Sequence, residues 1–188
     1  MKKANILLAD GFEEIEGLMC VDLMRRAGIE VTMVSIKNST DIKGARNINV
    51  VADTVISEMS DDADMLILPG GMPGTNYLKE SAEVKDAILR FLDAGKYLAA
   101  ICAAPTVYGE MGLLKGKKAT CYPGLESGLI GAEWTGEDVK VAVDGQFITS
   151  RGVGTAADFA LKLIEILISR DKAEEIASSV VYRLEEGN

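Results

Sequence analysis

Two apolar runs separated by one amphipathic segment set the tightest limit on the fold. Ala4-Asn5-Ile6-Leu7-Leu8-Ala9 has strand length and is apolar nearly throughout, and Asp10-Gly11-Phe12 breaks it. From Glu13 to about Ala27 the apolar residues Leu18, Val21, Leu23 and Met24 share one broad helical face, and Gly28 closes the segment as a C-cap would. Ile29 to Ser35 is a second strand. Strand, helix, strand in that order is a βαβ unit, which predicts parallel pairing with a right-handed crossover.

The rest of the chain continues the alternation. Lys37 to Asp53 is polar and then extended, with Asn47 to Val51 a short strand or hairpin, and Ser57 to Ala63 is an acidic connector. Met65 to Leu68 is a third buried parallel strand, followed by Pro69-Gly70-Gly71-Met72-Pro73-Gly74. Two adjacent glycines just past a strand end let backbone N–H groups approach a ligand. No Lys-Ser/Thr follows at Walker spacing, so this is not a phosphate loop of that kind. Ser81 has the chemistry of an N-cap for a helix carrying the stripe Val84, Ile88, Phe91 and Leu92, ended by Gly95.

Tyr97 to Ile101 is a strand that ends at Cys102, and Pro105 suits the first turn of a helix running to about Leu114. Lys118 to Tyr122 resembles a short strand stopped by Pro123, and the sole tryptophan, Trp134, is assigned to packing. Val139 to Val143 and Gln146 to Ser150 form a hairpin through Asp144-Gly145. Gly152-Val153-Gly154-Thr155-Ala156-Ala157 matches a dinucleotide fingerprint in form. That reading is rejected, because only helix follows where a strand bearing an acidic residue is required. A tight turn bringing Thr155 to a helix cap is the alternative. A long apolar helix to Ser169 and a last helix from Asp171 to about Tyr182 complete an α/β architecture of mostly parallel strands between helices.

Composition narrows the chemistry. With 188 residues, 48% hydrophobic, the chain suits one domain with a real core. A net charge of −9 disfavours a phosphate backbone, so no nucleic-acid partner is expected. The apolar run behind Met1-Lys2-Lys3 stops at Asp10, and no segment reaches membrane-spanning length. The expectation is a soluble, cytoplasmic protein with no membrane partner. Three cysteines, Cys20, Cys102 and Cys121, make an odd count that argues for free thiols. The absence of histidine excludes a Cys-His dyad, a Ser-His-Asp triad and a His-ligated zinc, even in a homodimer. No metal or other cofactor is expected.

Ligands in such sheets bind off the carboxyl ends of the strands. Three loops meet that rule: Asp10 to Glu16, Pro69 to Gly74, and Cys102 to Pro105. They offer carboxylates, backbone N–H donors and a thiol. At the corner between strand and helix the helix dipole and free N–H groups favour a thiolate at Cys102, the reactive form. The competing reading is a buried cysteine that merely ends a strand. Cys20, among apolar residues on the first helix, reads as structural filler.

Five blocks then carry a family resemblance: Asp10-Gly-Phe-Glu-Glu-Ile-Glu16, Val21-Asp-Leu-Met-Arg-Arg-Ala-Gly28, Leu68-Pro-Gly-Gly71, Ala99-Ala-Ile-Cys-Ala-Ala-Pro-Thr106 and Thr149-Ser-Arg-Gly-Val-Gly-Thr155. Together they resemble the ThiJ/PfpI superfamily, and within it the branch of the parkinsonism-associated deglycase and its bacterial relatives. The resemblance implies a flavodoxin-like three-layer sandwich with a mostly parallel sheet, residues 1–188 forming one domain, and Cys102 as a nucleophile-elbow cysteine sensitive to peroxide. It implies that Glu16 hydrogen-bonds that sulfur, which periodicity could not have chosen over Glu13 or Glu14. It implies that the N–H groups of Gly71 and Ala103 hold an oxyanion, and that the chain forms a homodimer with the first helix and Arg26 near the contact. Tyr122, Gly70, Arg46 and Arg151 become candidate substrate contacts, the arginines holding an anion; surface ion pairing is the plainer reading of Arg26, Arg46 and Arg151. Relatives often carry histidine where this chain has Tyr122, and a phenol is a poor base at neutral pH, with an unperturbed pKa of about 10.

The expectation is thiol chemistry on small reactive carbonyls: a glutathione-independent glyoxalase, or a deglycase acting on the corresponding protein adducts. The alternative is a non-catalytic redox sensor or chaperone responding to oxidation of Cys102. An intracellular peptidase is a distant third, because no histidine is present.

Overall fold

A computed structural model of the chain describes residues 1–183. Side chains alternate along its central strands, and the alternation sorts them into two separate cores. Ile6 and Leu8 of β1 (Lys3–Leu8), with Met65 and Ile67 of β6 (Met65–Leu68), join one apolar layer. Leu7, Leu66 and Leu68 join the other. Strands buried on both faces lose the polar–apolar pattern and read as continuous apolar runs.

The first layer is closed by α1 (Glu14–Arg26), α5 (Ala156–Leu167) and α6 (Arg170–Ser179). The second is closed by α2 (Gly74–Glu80), α3 (Ala82–Asp93) and α4 (Pro105–Glu110). Between them lie, besides β1 and β6, the strands β2 (Glu30–Ser35), β5 (Thr54–Val55), β7 (Tyr97–Ile101), β10 (Val141–Asp144) and β11 (Phe147–Ser150). Their order is β10-β11-β7-β6-β1-β2-β5, and every pairing is parallel except β10 with β11. Taken alone, the five longer parallel strands run second, first, third, fourth, fifth. That is the flavodoxin-like order, whose crevice opens between the first and third strands, here β1 and β6. Two small ribbons lie outside the sheet: β3 (Asp41–Lys43) with β4 (Asn49–Val51), and β8 (Lys118–Ala119) with β9 (Glu133–Trp134). No helix among the described residues is long and apolar enough to cross a membrane.

Several expectations need correcting. Helix α2 lies in a stretch whose Gly74, Thr75 and Asn76 start it without any side-chain cap. The helix after Pro105 stops at Glu110, and the chain then turns through Gly112 and Gly116, both at positive φ. The strand at Lys118 ends at Ala119. Trp134 is 46% exposed on the outer ribbon rather than packed. The hairpin pairs Asp144 with Phe147, so its loop is Gly145-Gln146. Thr155 precedes α5 but does not cap it; its hydroxyl accepts from the N–H groups of Arg151 and Gly152, both at 3.2 Å. Ser81 does cap α3, accepting from the Val84 N–H at 3.2 Å.

Candidate active site

Cys102 sits where β7 turns into α4, at φ 67°, a left-handed conformation that costs a non-glycine residue about 1–2 kcal/mol. The surroundings fix it on both sides. Its N–H donates to the Ser150 carbonyl at 3.0 Å, and its own carbonyl accepts from the Tyr122 N–H at 2.8 Å. The side chain is thereby turned out of the sheet, half-buried, towards the loops after β1 and β6.

Those loops bring Glu16 to the sulfur. Glu13 caps α1, its carboxylate accepting from the Glu16 N–H at 2.9 Å, and Glu16 then projects inward from the first turn, 1% exposed. One carboxyl oxygen, Oε2, accepts from the Gly70 N–H at 3.0 Å, and the carboxyl hydrogen-bonds the Cys102 side chain. The other, Oε1, is buried with no hydrogen-bond partner. Position 70 requires glycine by close approach: a Cβ there would stand 2.5 Å from Cys102 Cβ and 2.6 Å from Glu16 Oε2. Gly71, at φ 94°, is likewise wedged against the backbone of Gly11, Phe12 and Glu13. The N–H groups of Ala103 and Gly71 reach the Cys102 sulfur.

The electrostatics reverse one expectation. Burial pushes the Glu16 carboxyl up to about 7, aided by the charge of Glu13 and opposed by its bonds to Cys102 and Gly70. Burial, then the charge and hydrogen bond of Glu16, push the Cys102 thiol up to about 12, against the pull of the Ala103 and Gly71 N–H groups. The elbow alone does not yield a thiolate. While Glu16 is ionised the thiol keeps its proton, so above about pH 7 the pair holds a single proton, and it rests on the sulfur. A nucleophilic sulfur forms as that proton moves to the carboxylate. Cys20 is fully buried, and burial pushes its thiol far up. Cys121, raised to about 11 by burial and then by Glu126, packs into the opposite core layer.

A cavity of about 780 Å³ opens above the dyad. The structure brings Cys102, Glu16, Gly71, Ala103, Tyr122, Arg46 and Arg151 together around it. Gly70 is not part of its lining; it supports Glu16 from behind. Arg151 hydrogen-bonds the Glu137 carbonyl through Nη1, while its Nε is buried without a partner. Arg46 is carried on a loop held by Glu14, whose buried carboxylate accepts from the Arg46 N–H at 2.6 Å. Glu14 escaped sequence reasoning: in a block of three glutamates nothing marks which two turn inward. Gly152 was also missed as a site residue, although it borders the same cavity. Among the described residues there is no cluster of His, Cys, Asp or Glu that could hold a metal.

Topology and site together define a class: flavodoxin-like α/β proteins with a cysteine elbow and a carboxyl partner. The chain belongs to the DJ-1/PfpI family, whose model matches residues 2–166. It is 39% identical over 181 residues to Protein dj-1beta of Drosophila melanogaster, covering 96% of this chain and 97% of that protein. It is 30% identical over 177 residues to the glutathione-independent glyoxalase DJR-1.2 of Caenorhabditis elegans, covering 93% and 94%. The solved structure of oxidized Toxoplasma gondii DJ-1 superposes with a TM-score of 0.91 at 35% identity, covering 98% of this chain and all of that one.

Proposed function

We propose that this protein is a glutathione-independent glyoxalase that converts α-oxoaldehydes to hydroxy acids through Cys102. The observation that carries the reading is the buried Glu16 carboxyl bonded to the Cys102 sulfur, beside an open cavity. A relative named as a glyoxalase of this kind adds support. Glu16 takes the thiol proton while the sulfur attacks the aldehyde carbon. The new oxyanion lies at the Gly71 and Ala103 N–H groups and takes that proton back, giving a hemithioacetal. Glu16, again a carboxylate, removes the C–H proton of the former aldehyde carbon and returns it to the neighbouring carbon. The remaining hydroxyl proton moves between the two oxygens, leaving a thioester. Water cleaves the thioester, regenerates the thiol and releases the hydroxy acid, so no oxidant is consumed. An acid–base group near pKa 7 suits both transfers at neutral pH. Deglycation would be the same chemistry on protein-bound adducts.

Tyr122 serves here as a wall and hydrogen-bond donor rather than a base. The expected homodimer is supported by Ile15, on α1, and by Ile48 and Val51, before and within β4, apolar residues left exposed to solvent. The decisive assay is lactate formed from methylglyoxal without glutathione. Cys102→Ser should abolish it, and Glu16→Gln should slow it about 10²–10⁴-fold. Full activity in either variant overturns the mechanism. A second reading, oxidation sensing at Cys102, is favoured by the half-buried thiol at two N–H donors and by the relative solved in an oxidized form. It takes precedence if the reduced wild-type protein forms no lactate.

A further inference from the structure

A three-carbon aldehyde makes poor use of this cavity. Its volume of about 780 Å³ lies within the roughly 300–1,000 Å³ of sites for drug-sized ligands. Four apolar side chains stand exposed on its walls: Met72 at 55%, Tyr122 at 51%, Val153 at 43% and Leu125 at 37%. Scattered singly such residues need no explanation; grouped around one reactive thiol they mark a surface that binds something apolar.

Gly152 fixes how this surface relates to the reacting atoms. A methyl group at position 152 would stand 3.3 Å from Cδ2 of the Tyr122 ring and 3.8 Å from Glu16 Oε1. The missing side chain therefore leaves a gap with room for about one methyl group beside the aromatic ring and the buried, unpartnered carboxyl oxygen. Cys102, Glu16, Tyr122 and Gly152 line the same cavity, so a substituent on the carbon next to a Cys102-bound aldehyde carbon faces these walls. A methyl group covers little of these apolar walls, whereas a flat substituent has the area to pack against the exposed part of the Tyr122 ring.

We propose that the substrates fitting this site best are α-oxoaldehydes bearing an aryl or similarly bulky planar group, seated on Tyr122, in preference to glyoxal or methylglyoxal. The inference rests on the glyoxalase reading and names its substrate class. The step is the same: an aryl α-oxoaldehyde plus water gives an aryl hydroxy carboxylate and a proton, without net oxidation.

The test compares kcat/KM for phenylglyoxal, followed as mandelate, with that for methylglyoxal, followed as lactate. Wild type, Tyr122→Phe, Tyr122→Ala and Gly152→Ala are measured side by side. Position 152 is extended, at φ 163°, so alanine suits its backbone. The wild-type ratio should favour phenylglyoxal by about tenfold or more, the discrimination that an added apolar group earns in a fitted pocket. It should persist in Tyr122→Phe and fall about tenfold in Tyr122→Ala. Gly152→Ala should lower it by narrowing the gap. Lactate production with a ratio favouring methylglyoxal, or a ratio indifferent to both Tyr122→Ala and Gly152→Ala, overturns this inference and leaves the glyoxalase reading standing. Neither acid from reduced wild-type protein overturns both.

Discussion

Replacing Glu16 with glutamine should stabilise the protein, and by an amount that depends on pH. Glutamine keeps an oxygen to accept from the Gly70 N–H and removes the buried charge. In the wild type the carboxyl rises from 4.5 to about 7 on folding, because burial penalises its ionised form. Between those values the folded state binds more protons than the unfolded one, so stability falls as pH rises. It is fully present below 4.5 and is lost as pH climbs through 7. At about 1.4 kcal/mol per pH unit the loss reaches about 3 kcal/mol. Glu16→Gln has no such loss. Its advantage should grow from little near pH 4.5 to about 3 kcal/mol at pH 8, where Glu16 is ionised in both wild-type states. With a urea slope of roughly 1–3 kcal/mol per molar, the midpoint at pH 8 should move up by about 1–3 M. Urea titrations of both proteins at half-unit steps from pH 4.5 to 8 measure this directly. A midpoint difference that stays constant across the range would refute a Glu16 titration near 7. Activity should move the opposite way, as the group that destabilises the fold is the one assigned the proton transfers.

Two further outcomes follow from the same geometry. A carboxylate within hydrogen-bond reach of a sulfur is worth on the order of 4 kcal/mol at an effective dielectric of about 20. Alkylation of Cys102 by iodoacetamide at pH 8, read by intact mass, should therefore run at least about tenfold faster in Glu16→Gln; an equal or slower rate removes Glu16 as the group that keeps the thiol protonated. Gly70→Ala should cost about 100-fold in kcat with the circular dichroism spectrum unchanged, because its Cβ displaces the Cys102 and Glu16 side chains from each other. Undiminished turnover would show that their spacing is not critical.

The fold was legible in the chain because its central strands are buried on both faces. Ala4 to Ala9 and Met65 to Leu68 need no partner to be identified as strands, and Gly28, Ser81 and Gly95 mark helix ends by local backbone chemistry. Elements held by tertiary contact were not legible. Helix α2 lacks a capping side chain, and β8 and β9 are two residues each, their pairing made by contacts distant in sequence. At the site, Cys102 was marked by its position between an apolar run and a proline. The thiolate expected there failed because it was argued from the elbow alone; the opposing charge of Glu16 arrives from the first turn of α1, the helix that follows a different strand. Glu14 and Gly152 were hidden for the same reason. One differs from its neighbours only in where it turns, and the other matters through an atom it does not have.

The hydrogen bond from the Cys102 N–H to Ser150 has a consequence in time. Strand β7 pairs on one side with β6, already made, and on the other with β11, which pairs Ser150 with Ile101. During synthesis the left-handed turn at Cys102 cannot be held on both sides until residue 150 has been translated and has cleared the ribosome. At roughly 5–20 residues per second that is an interval of several seconds. Throughout it the thiol belongs to a flexible chain end and titrates like any cysteine, near about 8.5. The elbow is therefore completed late: a chain cut short before β11 carries the cysteine, the glutamate and the Tyr122 N–H but lacks the Ser150 carbonyl that holds the other side of the turn.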